Sequence, residues 1–599
     1  MGTPVPEKGN NKLKYILLAV IILLELIWTS YNFVYKKDSF HSDEIWSYGL
    51  ANSFYQPFVY QKPGIHIDHA SEDDYINYRE WMTGKTLNDY ITVQEGERFS
   101  YASVYDNQTL DHHPPLYYML LHTVCSFFPD TFSWGFGFFL NCIFLTVTQI
   151  FLYKTGKVLL KSGQAALTVC LLYGGSIGAL STFIFIRQYS LLTMLIMMYV
   201  YFCTRLYSDP DNKKRIIPVL TVSFAAFMTH YYAIIFIGVF TAGMCIYMLC
   251  RKRLGMMLIY GFSMLGTLGL FFAAYPAALR HMFDSNITSG SVSGFLPQMR
   301  ILINYSTRDL FGLNFSSEGH TVLRIIAAVL AGCLIVFSLI CFVFRKNDRI
   351  RHIAANTADR FGKLAGRLSA ANYIPVFIFA ASAVLTAAIN MTTDCYYMGE
   401  YASRYVFCLY PCICLLAGLL FRVLTGLLPV IKRYRTVIMA MTGAVLMIVM
   451  NIRFDSWFYF RNFPGGAVAQ ELFSEKNCVV VLPEESEWLI TCLSGCMNKA
   501  DNIFVTDEAH FEEDLDRISS LGERIDTVVF ADAGFDSLPE SVYTGPAAGY
   551  VAGDEQSSDI RHYEQLAGRI AGGREINIEA YLNIFNGYAA VLCFEEGIQ

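Results

Sequence analysis

The sequence predicts a polytopic α-helical membrane protein with about 11 transmembrane helices and a C-terminal extracytoplasmic α/β domain. Three observations carry that expectation. Hydrophobic residues make up 54% of the 599-residue chain, only 16% of residues are charged, and mean hydropathy is +0.37; a typical soluble domain has about 25% charged residues. Apolar runs of about 17–25 residues, long enough to cross about 30 Å of hydrocarbon, recur along residues 1–453. Charge is then divided unequally. Residues 454–599 carry 8 Lys and Arg against 26 Asp and Glu, whereas the apolar body is basic. Together these exclude a soluble enzyme, a disordered chain and a nucleic-acid binder, and they make membrane lipids an obligatory partner.

The apolar runs fall near 13–34, 132–153, 165–186, 189–207, 216–230, 231–250, 256–275, 320–344, 372–391, 405–422 and 436–452. The first is too long for a cleaved signal peptide, contains Glu25 and lacks a small-residue cleavage site. A charge at the depth of Glu25 would cost about 2.5–3.5 kcal/mol, so this carboxyl is expected to be protonated and hydrogen-bonded to a neighbouring span. The run at 216–230 is short, and the next follows at once. Lys and Arg gather at 8–14, 154–161, 205–215, 251–253, 345–367 and 422–435, whereas Arg187 and Arg404 stand alone in the loops between. The positive-inside rule then places the N-terminus in the cytoplasm, and an odd number of spans places the tail outside.

Two outer segments are too long to be connectors. The first runs from 35 to 131. The second is the tail, whose apolar runs at 479–482, 503–505, 527–530 and 589–594 alternate with helical patterns such as 508–521. That alternation predicts a small α/β domain with a largely parallel sheet. The expected division is a membrane module over 1–453 that includes the first outer loop, and a soluble domain over 454–599. The tail shows no GxGxxG, phosphate loop or metal motif, and most of the cysteines lie in apolar runs where they act as small hydrophobes.

Polar residues beside a lipid phase are costly, so their clusters are informative. The first is His41-Ser42-Asp43-Glu44-Ile45-Trp46, directly after the first span. A carboxylate partly desolvated at the membrane face has a raised pKa and gains strength as a general base; a solvated acidic pair is the plainer alternative. The second is Asp111-His112-His113-Pro114-Pro115-Leu116-Tyr117-Tyr118, which leads into a short amphipathic stretch better suited to the interface than to a span. The third comprises cations and aromatics at outer span ends, namely Arg187-Gln188-Tyr189, His230-Tyr231-Tyr232 and Arg404-Tyr405. Aromatic belts and snorkelling account for such residues structurally. A lone Arg on the outer side nonetheless runs against the charge bias and asks for an anion such as a lipid phosphate.

An acidic pair early in a large first outer loop, then His-Pro-Pro-Leu-Tyr-Tyr, then Arg-Gln-Tyr-Ser-Leu-Leu resembles the membrane-embedded GT-C glycosyltransferases. The branch it resembles contains the protein O-mannosyltransferases and lipid A aminoarabinose transferases, and the likeness covers roughly residues 10–450. It implies a sugar donor carried on polyprenyl phosphate and transfer on the outer face to a cell-envelope glycan, lipid or protein. It implies Asp43 as the catalytic residue and Glu44 in support. Asp111, His112, His113, Arg187, Tyr189, His230, Arg404 and Tyr405 become substrate-binding candidates. The aminoarabinose branch carries Glu-Lys-Pro-Pro where this chain has His112-His113-Pro114-Pro115, so the duty of its phosphate-contacting Lys would pass to His113, Arg187 or Arg404.

In the chemistry so implied, Asp43 takes the acceptor's proton as its oxygen attacks the sugar, and cations stabilise the departing phosphate. Asp43, Glu44, His112 and His113 are the residues from which a divalent metal site would be built. Nothing in their spacing demands one, and no cofactor is assigned. The competing readings are a transporter or lipid flippase, for which repeated halves would be expected, and a non-catalytic scaffold.

Overall fold

The computed structural model describes residues 11–61, 75–283, 295–313, 372–393, 399–427, 434–460, 469–532, 558–584 and 587–595. The chain is a polytopic helical membrane protein with a C-terminal sheet. Among the described residues eight helices are long and apolar enough to cross a membrane, or nine if one bent pair is a single span. α1 (Asn11–Tyr35) leads to a short α2 (Ser42–Asn52). The segment before the second span then forms a two-residue β1 (Trp81–Met82), α3 (Lys85–Ile91), α4 (Tyr101–Leu110) and α5 (Leu116–Cys125). At ten residues, α5 is too short to span, as expected of an interfacial helix.

The body continues with α6 (Trp134–Leu159), α7 (Gly163–Gly174), α8 (Ile177–Ile184), α9 (Tyr189–Ser208), α10 (Ile216–Phe227), α11 (Tyr232–Cys250) and α12 (Leu254–Ala274). After α13 (Ala277–Phe283) and α14 (Phe295–Phe311) come α15 (Ile374–Thr392), α16 (Tyr410–Leu427) and α17 (Arg435–Arg453). Of the eleven expected runs, that at 216–230 forms only the 12-residue α10, and that at 320–344 lies outside the described residues. The run at 165–186 is the bent pair: α7 and α8 meet at 61°. Its cause is local. Gly174-Gly175 ends α7, and the Ser176 hydroxyl accepts from the Ala179 N–H to cap α8. A side chain at Gly174 would collide with Glu25. Glu25 itself accepts from Gln149 Nε2 of α6 at 3.0 Å, the inter-helix partner expected for it. The break brings the chain out of α8 at Phe185-Ile186-Arg187, beside α2.

The tail holds α18 (Ala469–Phe473), β2 (Asn477–Leu482), α19 (Ile490–Met497), β3 (Asn502–Asp507), α20 (Leu515–Ser519), β4 (Thr527–Asp532), α21 (Ser558–Ala571), β5 (Glu575–Ile584) and β6 (Gly587–Glu595). The sheet order is β1-β3-β2-β4-β6-β5. Its centre, β3-β2-β4, is parallel; β6 on β4, β5 on β6 and β1 on β3 are antiparallel, so the sheet is mixed rather than largely parallel. The helical pattern at 508–521 yields only α20, because 510–514 forms turns closed onto Asp507 and Asp514.

Two contacts tie the tail to the membrane body. The segment between α2 and α3 supplies β1, Trp81 pairing with Phe504 and Met82 with Ile503, and beside it Arg79 clamps Asp514, with Nη2 2.8 Å from Oδ1. α19 packs on α2: Gly495 lies against Ile45 and Trp134, where a Cβ would come within 3.0 and 3.1 Å, and the Trp46 and Trp488 rings are 6.2 Å apart. The tail therefore rests on the helix that carries Asp43.

Candidate functional site

The site is built where α2 begins. His41 caps α2 through its side chain, Nδ1 accepting the Asp43 N–H at 3.0 Å, while Glu44 Oε2 accepts the His41 N–H at 2.8 Å. This capping box sets Asp43 and Glu44 in the first turn but sends them in different directions. Glu44 is fully buried and saturated. Its Oε1 meets Lys37 Nζ at 2.6 Å and the Ile186 N–H at 2.9 Å. Burial pushes the Glu44 carboxyl up, opposed by Lys37 and the two backbone N–H groups. Glu44 thus joins the end of α1, the start of α2 and the α8–α9 linker.

Asp43 faces the cations. Its Oδ2 lies 3.1 Å from Arg404 Nη1, 3.9 Å from Arg187 Nε and 3.7 Å from His41 Nδ1. All four residues are buried. Burial alone would raise the Asp43 carboxyl, but Arg404, Arg187, His41 and His113 together hold it well below the usual carboxylate range. This reverses the expectation of a raised, strongly basic Asp43. Desolvation is present, and two guanidinium groups outweigh it. His41 is pushed down to about 3 by burial, with Arg404, Arg187 and Lys37 adding to the effect and Asp43 opposing it. It is therefore a neutral acceptor.

Arg187 is placed by its own neighbours. Its Nη1 donates to the Tyr118 hydroxyl at 3.0 Å and to Ser47 Oγ at 3.3 Å, and Tyr118 in turn donates to Gln188 Oε1 at 3.4 Å. Among the described residues its buried Nε has no acceptor within hydrogen-bond distance, Asp43 Oδ2 standing 3.9 Å away. The Arg404 guanidinium stacks over the Tyr405 ring at 5.2 Å. Tyr189 lies 6.0 Å from Tyr405 and 5.5 Å from His230, and His230 lies 5.9 Å from His113, ring to ring. His113 Nδ1 pairs with Asp111 Oδ2 at 2.8 Å. Burial acts to raise Asp111, but His113, Arg187 and His112 bring it down to about 2. His112 turns the other way, to His281 at 5.7 Å.

Nine of the ten candidates from the sequence therefore gather around Asp43 or lock its helix, and His112 stands at the edge. Lys37, Ser47 and Tyr118 also contact this cluster, and none of them was a candidate from the sequence. Tyr118 closes the second cluster in the sequence but was given no binding role there; its place in the Pro-Pro-Leu-Tyr-Tyr motif is the signal that points to it. The residues offered for a metal do not fit one. Glu44 is committed to Lys37 and Asp43 to the arginines, and among the described residues no group of three or more His, Cys, Asp and Glu is placed to hold an ion.

No family model and no curated protein matches the sequence. The structure is similar to that of ArnT from Cupriavidus metallidurans bound to undecaprenyl phosphate, with 10% identity, coverage of 97% of this chain and 98% of that one, and a TM-score of 0.42. Against ArnT in the apo state the identity is 9%, the coverage 96% and 97%, and the TM-score 0.44. The Archaeoglobus fulgidus oligosaccharyltransferase in complex with Zn and sulfate matches at 10% identity, over 87% of this chain and 68% of that one, with a TM-score of 0.41.

Proposed function

We propose that this chain is a membrane glycosyltransferase that moves a sugar from a polyprenyl-phosphate donor to an acceptor hydroxyl on the outer face of the membrane. The observation that carries the reading is the buried contact of Asp43 with Arg187 and Arg404 beside the spans. Two guanidinium groups at the end of an apolar body match a phosphate whose lipid chain runs into the bilayer. Among the described residues the buried Arg187 Nε–H finds no hydrogen-bond acceptor, and a phosphate oxygen would supply one. The aromatic wall of Tyr189, Tyr405 and His230 suits a sugar ring.

The reaction is a single displacement. The acceptor oxygen bonds to the anomeric carbon as its proton passes to Asp43. The bond from that carbon to the phosphate oxygen breaks, its electron pair leaves with the phosphate, and Arg187 and Arg404 balance the growing charge. Attack opposite the leaving group inverts the anomeric centre. Glu44 and Lys37 hold the start of α2 in register with the linker that carries Arg187. Tyr118, Ser47 and Gln188 orient Arg187, and Asp111 orients His113.

The test is Asp43→Asn in the full-length protein, assayed with polyprenyl-phosphate sugars in vesicles. Loss of a general base costs about 10²- to 10⁴-fold in rate, with membrane insertion retained. Near-wild-type transfer by this variant would overturn the mechanism. Lipids of cells lacking the gene should accumulate a polyprenyl-phosphate sugar.

A further inference from the structure

The position of Asp43 poses a conflict within that reading. Inverting attack requires the base on one face of the anomeric carbon and the leaving phosphate on the other. In inverting glycoside hydrolysis the two groups that flank the carbon stand about 6.5–9.5 Å apart. Here the carboxylate of the base lies 3.1 Å from one cation proposed for the phosphate and 3.9 Å from the other. Phosphate and Asp43 cannot both sit against the same guanidinium faces, since each is an anion and Asp43, Arg187 and Arg404 are all buried.

We propose that Asp43 is a built-in competitor for the donor phosphate, and that the donor, on taking Arg187 and Arg404, displaces the carboxylate toward the acceptor and so makes it a base. The inference rests on the glycosyltransferase reading and deepens it. Three features of the site support it. Asp43 is carried in the first turn of α2, where only its own side chain must swing, because the helix is pinned independently through Glu44, Lys37 and the His41 cap. Arg187 is held from behind by Tyr118 and Ser47, so it stays in place when its anion changes. Among the described residues, the charged and titratable groups facing Asp43 are Arg404, Arg187, His41, His113, Tyr118 and Tyr189; with His41 neutral, the two arginines supply the main attraction. Once a phosphate shares that charge, burial is left to dominate Asp43, and a buried carboxylate is the stronger base. Strong base character then appears only when there is a sugar to transfer, which keeps water from being activated between turnovers.

The consequence is an affinity gain from an inactivating change. Binding of undecaprenyl phosphate in detergent to the full-length protein should tighten by roughly tenfold or more in Asp43→Asn, within the usual range of coupling free energies, while transfer collapses. Asp43→Ser should behave the same way, and it serves if the amide variant unfolds. Asp111→Asn also removes a nearby negative charge, but it leaves the arginines' direct partner in place, so it should tighten binding by a markedly smaller factor. Equal gains from Asp43 and Asp111 variants would mean plain charge repulsion and would overturn displacement. Unchanged or weaker binding in both Asp43 variants would also overturn it, even where transfer is lost and the glycosyltransferase reading stands. If the wild type itself does not bind undecaprenyl phosphate, the donor class is wrong and displacement falls with it.

Discussion

Lys37 Nζ lies 2.6 Å from Glu44 Oε1, and neither side chain reaches solvent. Lys37 also donates to the Ile184 carbonyl at 2.9 Å, so the pair fastens α1 and α2 to the end of α8. Removing one member of a buried pair costs about 3–5 kcal/mol, because the other charge is left uncompensated. Glu44→Gln should therefore lower the unfolding temperature, and it should reduce kcat less than Asp43→Asn does. Adding Lys37→Met to Glu44→Gln should restore part of the stability by removing the stranded charge. Thermal unfolding of the purified proteins, with kcat and KM measured separately, distinguishes this positioning role from direct catalysis. Full stability in Glu44→Gln would contradict it.

Tyr118→Phe should not be silent. The hydroxyl is buried between Arg187 Nη1 and Gln188, and hydrogen bonds to charged groups are worth about 1.5–3 kcal/mol. The expected result is a roughly tenfold or larger rise in donor KM with little change in fold stability. A neighbouring phenol without this contact, Tyr101, is half-exposed beside Thr123, and Tyr101→Phe should leave donor KM unchanged.

Much of the site was legible because its chemistry opposes its surroundings. Arg187 and Arg404 were conspicuous as single cations in outer loops, and Asp43-Glu44 as charges beside apolar sequence. Sequence could not separate the roles of that acidic pair, because adjacent helical residues point about 100° apart and only the fold shows which one meets Lys37. It also misjudged the Asp43 carboxyl: desolvation is visible in an apolar context, but two guanidinium groups arriving from residues 187 and 404 are not. Strands β2, β3, β4 and β6 were legible as apolar runs. β1 was hidden because two residues give no periodicity, and β5 because its sequence, EINIEAYLNI, mixes charge with alternation.

Acid should act on Asp111 in a defined window. Its folded-state value, brought to about 2 against an ordinary value near 3.9, is a depressed one. The stability it contributes is fully present above about pH 4 and lost as the pH falls toward 2. Asp111→Asn should therefore be less stable than wild type at pH 7, and the gap should shrink progressively below about pH 4. Unfolding temperatures of the two proteins from pH 3 to pH 7 give the comparison; a gap independent of pH would show that the His113 contact does not depend on the Asp111 charge.

The last prediction concerns sidedness, on which outer-face chemistry depends. Counting spans alone would leave the tail's side hostage to a single error. The β1–β3 pairing removes that dependence: residues 81–82 and 503–504 share one sheet, so the first outer loop and the tail must lie in the same compartment. An even number of crossings must then separate them, and the ten runs expected after the first satisfy this. Cysteine labelling with a membrane-impermeant reagent tests both points. Ser42, Ser403 and Ser162 are nearly buried and would mislead whichever side they face; Glu95, Asn212 and Glu512 are exposed. In intact cells, with accessible native thiols removed, Glu95→Cys and Glu512→Cys should label, and Asn212→Cys should label only after permeabilisation. Labelling at Glu95 without Glu512 would break the shared sheet. Labelling at Asn212 alone would invert the protein and bring Asp43, Arg187 and Arg404 to the cytoplasmic face, where an outer-face transferase cannot work.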